Sequence, residues 1–344
     1  MSEFVCVSYR DEIPENYQNR GNIPNLHQVQ VGLLEHDLQL VLSEGAEVAY
    51  HDSFVATRSV DLDAEELGPT MDIELEEIGV ILNRLNRSFK RDRLPEPHKM
   101  PATINENQTR SLAHRKHRAH TEVLEPLGLS MPTVLVESDA DIDSFLAANA
   151  APEIILKPNS GMNGQNIQRL ARSAVYGAFA SLEELQGNDG FVLQPAYDFT
   201  QPFPTTLRPF DQKSREAFEI GAQSASPKEL RVYGFHSPAG ISTFPVGRLV
   251  NNGDHWFFVD PQSVPGELLA GTADAMAKTA KASGAAAVYG TVDYGYGTDG
   301  THTPDWRAIE LNARLPYLIS PDKHADVSRV VHNMLTDQLA ATAR

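Results

Sequence analysis

The sequence predicts an α/β lobe built on a parallel sheet, followed by a larger α+β part dominated by antiparallel strands. Three observations carry that expectation. The chain opens on a strand–helix–strand pattern: EFVCVSY over 3–9, apolar residues at helical spacing through 26–43, and EVAYH over 47–51. Such a unit implies parallel strands. Later in the chain, β-rich runs follow one another across polar turns, with few helical stretches between them. The length of 344 residues suits about two domains, or one domain with lobes, at roughly 150 residues each.

Each element follows from local chemistry. Cys6 lies between Val5 and Val7 in the first strand and is expected to be a core thiol. Leu26, Val29, Val31, Leu33, Leu34, Leu38 and Leu40 recur at helix spacing, and Gly45 closes that helix. Residues 61–77 hold eight acidic residues and read as a solvated loop or surface helix. IGVILNRL over 78–85 is a further buried strand, and the proline-rich basic run over 88–102 is a connection between lobes. A helix is expected from Gln108 to Leu127, closed by Gly128. A strand at 133–136, a helix at 139–150 and a strand at 153–157 follow. The last turns through PNSGMNGQ (158–165) into a strand at 166–170. FVLQP over 191–195 is strand-like. Residues 198–228 contain four prolines and no period, which suits a lid or binding loop. Strands at 229–236 and 240–250, an alanine-rich helix at 265–283, strands at 288–296 and 306–312, and a helix at 322–341 complete the chain. No internal repeat is visible.

Composition excludes several function classes. Hydrophobic residues make up 41% and charged residues 22%, as in an ordinary globular protein rather than a disordered or disulfide-stapled one. With 29 Lys plus Arg against 46 Asp plus Glu, the formal charge is −17. Neither nucleic acid nor an acidic membrane is an expected partner, because each requires a basic footprint. The single cysteine fits a reducing compartment. No signal-peptide pattern and no apolar run near the roughly 20 residues of a membrane span is present, so a cytoplasmic location is expected. The sequons at Asn86 and Asn107 then read as coincidental.

Three segments carry chemistry. In IELNARLP (309–316), Glu310 and Asn312 stand two apart on an apolar strand and so share a face. GTVDYGYG (290–297) puts Asp293 at a matching place on the preceding strand. Three oxygen donors on neighbouring strands suit a hard cation such as Mg²⁺, whose octahedron phosphate oxygens would complete. A carboxylate salt-bridged to Arg314 or Arg248 is the structural alternative. In IILKPNSGMNGQNI (154–167), an apolar strand delivers Lys157 to a glycine-rich turn. That suits either a phosphate-covering loop or a plain hairpin tip. The third, INENQTRSLAHRKHRAHTEVL (104–124), gathers His114, Arg115, Lys116, His117, Arg118 and His120 on one helix. It is a solvated basic face or an anion site through Lys116; His114 and His117 stand three apart as metal ligands can, but no nearby carboxylate or cysteine completes a set.

The order of these segments resembles the ATP-grasp superfamily of ATP-dependent ligases, over about residues 100–320. Asn105 with Lys116 eleven residues later resembles the spacing that opens the ATP-grasp region. The resemblance puts Lys116 and Lys157 on the nucleotide phosphates and makes SGMNGQN (160–166) the covering loop, with Ser160, Gly161, Asn163 and Gly164 on the nucleotide. VLQPAY (192–197) resembles the adenine hinge, with Gln194, Ala196 and Tyr197 facing the base. ELR (229–231) resembles the Asp-x-Arg element of RimK-like ligases, which places Glu229 on the nucleotide and Arg231 near the transferring phosphate. Arg248 and Arg314 are implied to share the catalytic role of Arg231, and Asp293, Glu310 and Asn312 to bind magnesium.

The resemblance implies a Rossmann-like pre-ATP-grasp domain over 1–100. A small ATP-grasp lobe over 101–190 and a large lobe over 191–344 with the metal site follow, the two lobes being antiparallel sheets that clamp ATP. It implies an ADP-forming ligase that makes a carbon–nitrogen bond. A substrate carboxylate takes the γ-phosphoryl group, and an amine then displaces phosphate from the acyl phosphate to form an amide. The expected substrates are an amino acid or peptide carboxylate and an amine. A peptide-modifying ligase acting on a precursor peptide, or a non-catalytic ATP-binding protein on the same fold, remain the alternatives. Many relatives are dimers, which leaves a homodimer open. Residues 198–228 exceed the family's compact pattern, and the Asp293–Glu310 separation is wider than in its shortest members, implying a longer hairpin.

Overall fold

The computed structural model describes residues 4–8, 39–43, 50–51, 54–61, 66–83, 102–104, 107–160, 166–183, 189–199, 207–209, 216, 228–238, 240–250, 254–259 and 261–313. These form three sheets. The first contains β1 (Phe4–Ser8), β2 (Gln39–Ser43), β3 (Tyr50–His51), β4 (Phe54–Asp61), β5 (Glu66–Glu74), β6 (Ile78–Asn83) and β7 (Ala102–Ile104). Its order is β3-β4-β2-β1-β6-β7, with β5 on β4. The pairs β1–β2, β1–β6 and β6–β7 are parallel, as the opening pattern predicts. Cys6 stands on the central strand, in register with Val41 and Ile81.

Two expectations here are corrected. The parallel partner of β1 is Gln39–Ser43, the end of the stretch expected to be helical, whereas Tyr50–His51 forms a short antiparallel edge on β4. A five-residue apolar run has no periodicity that separates strand from helix. The acidic stretch 61–77 is not a loop or surface helix: most of it is β5, antiparallel to β4. Its alternation was present in the sequence, with Ile73 buried while Asp72 and Glu74 are exposed, but the acid count masks it. The sheet is therefore mixed. Most of the expected helix 26–43, the connection at 88–101 and the closing helix at 322–341 lie outside the described residues.

The second sheet has the order β10-β9-β11-β8 and is antiparallel throughout. Its strands are β8 (Val134–Val136), β9 (Glu153–Pro158), β10 (Gln168–Ala171) and β11 (Phe191–Pro195). The expected hairpin of β9 and β10 is present, although β10 starts two residues late because Asn166 takes a left-handed φ of 58°, which asparagine tolerates. Helix α1 (Asn107–His114) precedes this sheet, and α2 (Asp139–Ala148) and α3 (Val175–Glu183) belong to it. Helix α2 begins where expected: the Asp141 carboxylate accepts from the Ser138 N–H at 2.8 Å and its hydroxyl at 2.9 Å, a capping-box closure. The sequence gives little sign of α3, which contains Gly177 and has no acid in its first turn and no base in its last. Ile154, Leu156, Phe191 and Leu193 on one sheet face pack with Ile142 and Phe145 of α2 and Val175 and Phe179 of α3. Strand alternation turns Lys157 and Gln194 to the other face.

The third sheet comprises β12 (Leu207–Pro209), β13 (Lys228–Ser237), β14 (Gly240–Val250), β15 (Asp254–Val259), β16 (Val288–Gly297) and β17 (Asp305–Asn312). Its order, β12-β15-β14-β13-β16-β17, is again antiparallel. Strand β12 lies within the stretch expected to be a long loop; the rest of that stretch is largely outside the described residues. Helix α4 (Gly266–Ser283) covers one face, where Leu268, Ala275 and Met276 meet Leu230, Val232, Val288, Val292 and Leu311. The opposite face carries Arg231, Tyr233, Thr291, Asp293, Glu310 and Asn312 by register.

Candidate active site

A single irregularity in the third sheet determines what this face presents. At its far end β16 pairs Tyr294 with Ala308, but one step on Asp293 pairs with Glu310. Ile309 is an extra residue, a β-bulge. Continuing the Tyr294–Ala308 register without it would set Ile309 opposite Asp293 and turn Glu310 toward α4, because a one-residue slip moves every side chain to the other face. The bulge thus brings Glu310 beside Asp293 and Asn312 beside Thr291. Gly290 permits the approach: a Cβ there would sit 2.3 Å from the Asn312 carbonyl oxygen.

Asp293 is buried and gripped from β13. Arg231 Nε donates to Oδ1 at 2.7 Å and an Arg231 terminal nitrogen to Oδ2 at 2.6 Å. Burial alone would lower the Arg231 pKa, but the adjacent Asp293 carboxylate raises it overall, so the guanidinium stays charged. The Asn312 amide lies 3.4 Å from the same Oδ2. Asp293 therefore forms an ion pair with Arg231. A carboxylate has about four lone-pair directions, so the two-pronged contact leaves room for a further cation. Among the described residues no cluster of three or more His, Cys, Asp or Glu is suited to a metal. Two carboxylates and an amide suit a hard ion that draws its remaining oxygens from a bound phosphate.

The two lysines arrive from separate elements. The helix expected over 108–127 is broken. After α1, Arg115 is extended, with φ −87° and ψ 100°. The chain then resumes as a helical turn at Lys116–Arg118, a π-helix at Ala119–Leu124 and a 3₁₀ turn at Glu125–Leu127, ending at Gly128 with φ 70°. The break docks on the exit of β9. Lys116 N–H donates to the Asn159 carbonyl at 2.8 Å, and His117 N–H to Asn159 Oδ1 at 2.9 Å. Asn159 Nδ2 donates to the Asp189 carbonyl at 2.8 Å, and the Ser160 hydroxyl to Asp189 Oδ2 at 2.7 Å. Lys157 is buried, and burial pushes its ammonium down to about 8 against the pull of the Glu310 carboxylate. Burial lowers Lys116 too, again opposed by Glu310. Both ammonium groups therefore lie within the field of the carboxylate that β17 presents.

The expected hinge is buried. The Gln194 amide nitrogen lies 2.7 Å from Thr133 Oγ1 and 3.2 Å from His120 Nε2. The Ala196 N–H is taken by the Glu153 carbonyl at 2.9 Å, so Ala196 can offer a ligand only its carbonyl. The Tyr197 ring stacks on Phe199 with centroids 5.8 Å apart, and burial raises its phenol pKa.

The structure thus gathers Lys116, Lys157, Arg231, Asp293, Glu310 and Asn312, with Glu229 two residues before Arg231 on the same face. Arg248 pairs by backbone with Glu229 and Trp256. Asn105, Gly161, Asn163, Gly164 and Arg314 lie outside the described residues. Asn159, Asp189 and Thr133 were not singled out as site residues in the sequence, and His120 was named only as part of the basic helix. Asn159 immediately follows the LKP run, but nothing in HRKH announces the helix break that it caps.

No protein-family model matches the chain, and no curated protein matches it in sequence. Solved structures do match over nearly their whole length. D-cycloserine synthetase DcsG is 14% identical, with 96% of this chain and 99% of that one covered and a TM-score of 0.56. D-alanyl-alanine synthetase A from Vibrio cholerae O1 biovar eltor is 9% identical, with 98% and 99% covered and a TM-score of 0.57. The ATP-grasp ligase PsnB, solved with a phosphomimetic variant of a minimal precursor, Mg and ADP, is 14% identical, with 98% of each chain covered and a TM-score of 0.54. The chain has the fold of the ATP-grasp ligases.

Proposed function

We propose that the protein is an ATP-dependent, ADP-forming ligase that joins a carboxylate to an amine, with an amino acid or peptide as substrate. The observation that carries this reading is the convergence of the buried Lys157 and the half-buried Lys116 with the Glu310 strand. Lys116 and Lys157 reach the site from separate elements, and both feel the Glu310 carboxylate. Two desolvated ammonium groups, one buried and one half-buried, beside adjacent carboxylates suit a polyanion carried by a divalent cation.

In this reading Lys116 and Lys157 hold phosphates, and Gln194, Ala196 and Tyr197 hold the base. Ser160, Gly161, Asn163 and Gly164 cover the phosphates, and Glu229 lies against the nucleotide. Asp293, Glu310 and Asn312 hold Mg²⁺. When bound, Mg-ATP would supply the phosphoryl group that activates the substrate carboxylate. Arg231 orients Asp293 and, with Arg248 and Arg314, opposes the charge that builds on the transferring group and the acyl oxygen. Positioning and charge stabilisation of this kind supply most of the catalysis of phosphoryl transfer.

We also propose the division into 1–100, 101–190 and 191–344, with a Rossmann-like first part and a cytoplasmic protein. The three sheets support it. One segment crosses it, because Leu112, Ala119, Val123 and Leu124 pack in the α4 core of the third sheet. Among the described residues no helix is long and apolar enough to cross a membrane. D-alanyl-alanine synthetase and PsnB with its precursor are both among the similar structures, which supports a free amino acid or a peptide end alike. ADP and phosphate release by the purified protein, supplied with pooled amino acids, dipeptides and Mg-ATP, tests the reading. Release that depends on the pool is expected. Nucleotide binding without turnover on any carboxylate would favour the non-catalytic alternative.

A further inference from the structure

A polar network lies behind Gln194, on residues to which the proposed chemistry gives no role. Gln194 and His120 are each 1% exposed, and His120 projects from the π-helical segment Ala119–Leu124. The direction of every bond in the network follows from the Met131 carbonyl, which can only accept. The Ser130 hydroxyl donates to it at 2.7 Å and the Thr133 hydroxyl at 2.9 Å. Both hydroxyl protons are committed there, so each hydroxyl oxygen accepts from its other neighbour. His120 Nδ1, 2.7 Å from Ser130 Oγ, therefore carries the ring proton, and Nε2 keeps a lone pair. Burial and the charge of Lys157 hold the imidazole down at about 3, so the ring stays neutral. The Gln194 amide nitrogen donates to Nε2 at 3.2 Å and to Thr133 Oγ1 at 2.7 Å. The Ile309 carbonyl, also 3.2 Å from Nε2, receives no proton from it. Both hydrogens of the amide are thus spent inside the protein. An inverted amide would set its oxygen against the Nε2 lone pair and against a hydroxyl whose proton is already taken.

We infer that His120 and Thr133 are positioning residues that hold the Gln194 amide with its oxygen toward the nucleotide base, and so select an amino purine over a keto purine. Gln194 shares a sheet face with Lys157, whose register partner Val192 is two residues back on β11, about 7 Å along the strand. A nucleotide with its phosphates on Lys157 and its base toward the hinge runs along this face. The exocyclic amino group of adenine donates to Oε1. Hypoxanthine and guanine carry a carbonyl at that ring position, so two acceptors would meet with no proton between them. The inference rests on the roles proposed for Lys157 and Gln194. It adds two residues that act through the amide rather than on the ligand.

The test compares Mg-ATP with Mg-ITP, which exchange an amino group for a carbonyl at that ring position. Binding is read by titration calorimetry without a carboxylate substrate. The parent is expected to bind ATP about tenfold tighter than ITP, or more. Thr133→Val keeps the shape of the side chain and removes the acceptor, and should lower that ratio by about three- to tenfold, the weight of one hydrogen bond. Thr133→Ser keeps the hydroxyl and should stay near the parent. A purely structural role would weaken both nucleotides alike. A ratio unchanged in Thr133→Val, or lowered as much in Thr133→Ser, therefore overturns the inference. A second measurement needs no variant. In the parent, ¹⁵N spectra of histidine-labelled protein should show the His120 proton on Nδ1, and a proton on Nε2 overturns the inference. Failure of the functional reading looks different: the parent then binds neither nucleotide, whereas equal binding of both removes the inference alone.

Discussion

Lys157 shows how one residue can serve a site at the expense of the fold. Burial holds its ammonium down at about 8, below the 10.5 of an exposed lysine. The unfolded chain therefore still binds a proton between pH 8 and 10.5 that the native state has released. Native stability gains as pH rises through that window, and the penalty is fully present below it. Lys157→Met should raise the melting temperature at pH 7 and narrow the difference toward pH 10, and calorimetry across that range checks both. Phosphate needs the charged form, so nucleotide affinity of the parent should fall as pH climbs from 7 to 9. The same titration of Lys157→Met should start weaker and fall less steeply. An equal pH slope in the two proteins would remove Lys157 from the phosphates. Glu310→Gln keeps the shape of the side chain and removes its charge, so the melt should persist while metal-dependent turnover drops by roughly 100-fold or more. Full activity in that variant would remove Glu310 from the metal.

At the scale of elements, the site depends on two breaks in regular structure: the helix that stops at Arg115 and the strand that bulges at Ile309. The helix break is capped by Asn159, whose side chain takes the His117 N–H and donates to the Asp189 carbonyl. Asn159→Ala removes these two part-buried hydrogen bonds and should cost about 1–3 kcal/mol for the pair, at roughly 0.5–1.5 each. It should also weaken nucleotide binding by freeing Lys116, which paired denaturant and binding titrations would show. Unchanged nucleotide affinity in a destabilised variant would confine Asn159 to the fold. Neither break was legible in the sequence. HRKHRAH contains no glycine or proline, and the fit of Asn159 to the broken turn is made by a strand some forty residues on. Spacing showed that Glu310 and Asn312 share a face, but not that a bulge decides which face. The hairpin of β9 and β10, the strands β13, β14, β16 and β17 and the helix α4 were legible, because their alternation or helical period is intact. Gln39–Ser43 and Glu66–Glu74 were misread where an apolar run was too short for a period or an acid count concealed one.

At the scale of the molecule, three sheets divide the work. The second sheet carries Lys157 and Gln194 away from its α2–α3 core, and the third carries Asp293 and Glu310 away from α4. The segment 115–127 lies between them: Lys116 bonds to the exit of the second sheet while Val123 and Leu124 pack into the core of the third. With a net charge of −17, the protein as a whole repels a polyanion, so the phosphate role proposed for the lysines is a short-range one. The most direct measurement is a crystal structure with Mg²⁺ and a non-hydrolysable ATP analogue. The account predicts phosphates on the ammonium groups of Lys116 and Lys157, with Mg²⁺ about 2.0–2.1 Å from oxygens of Glu310 and Asn312. A nucleotide bound elsewhere, or a metal held without β17, would contradict it.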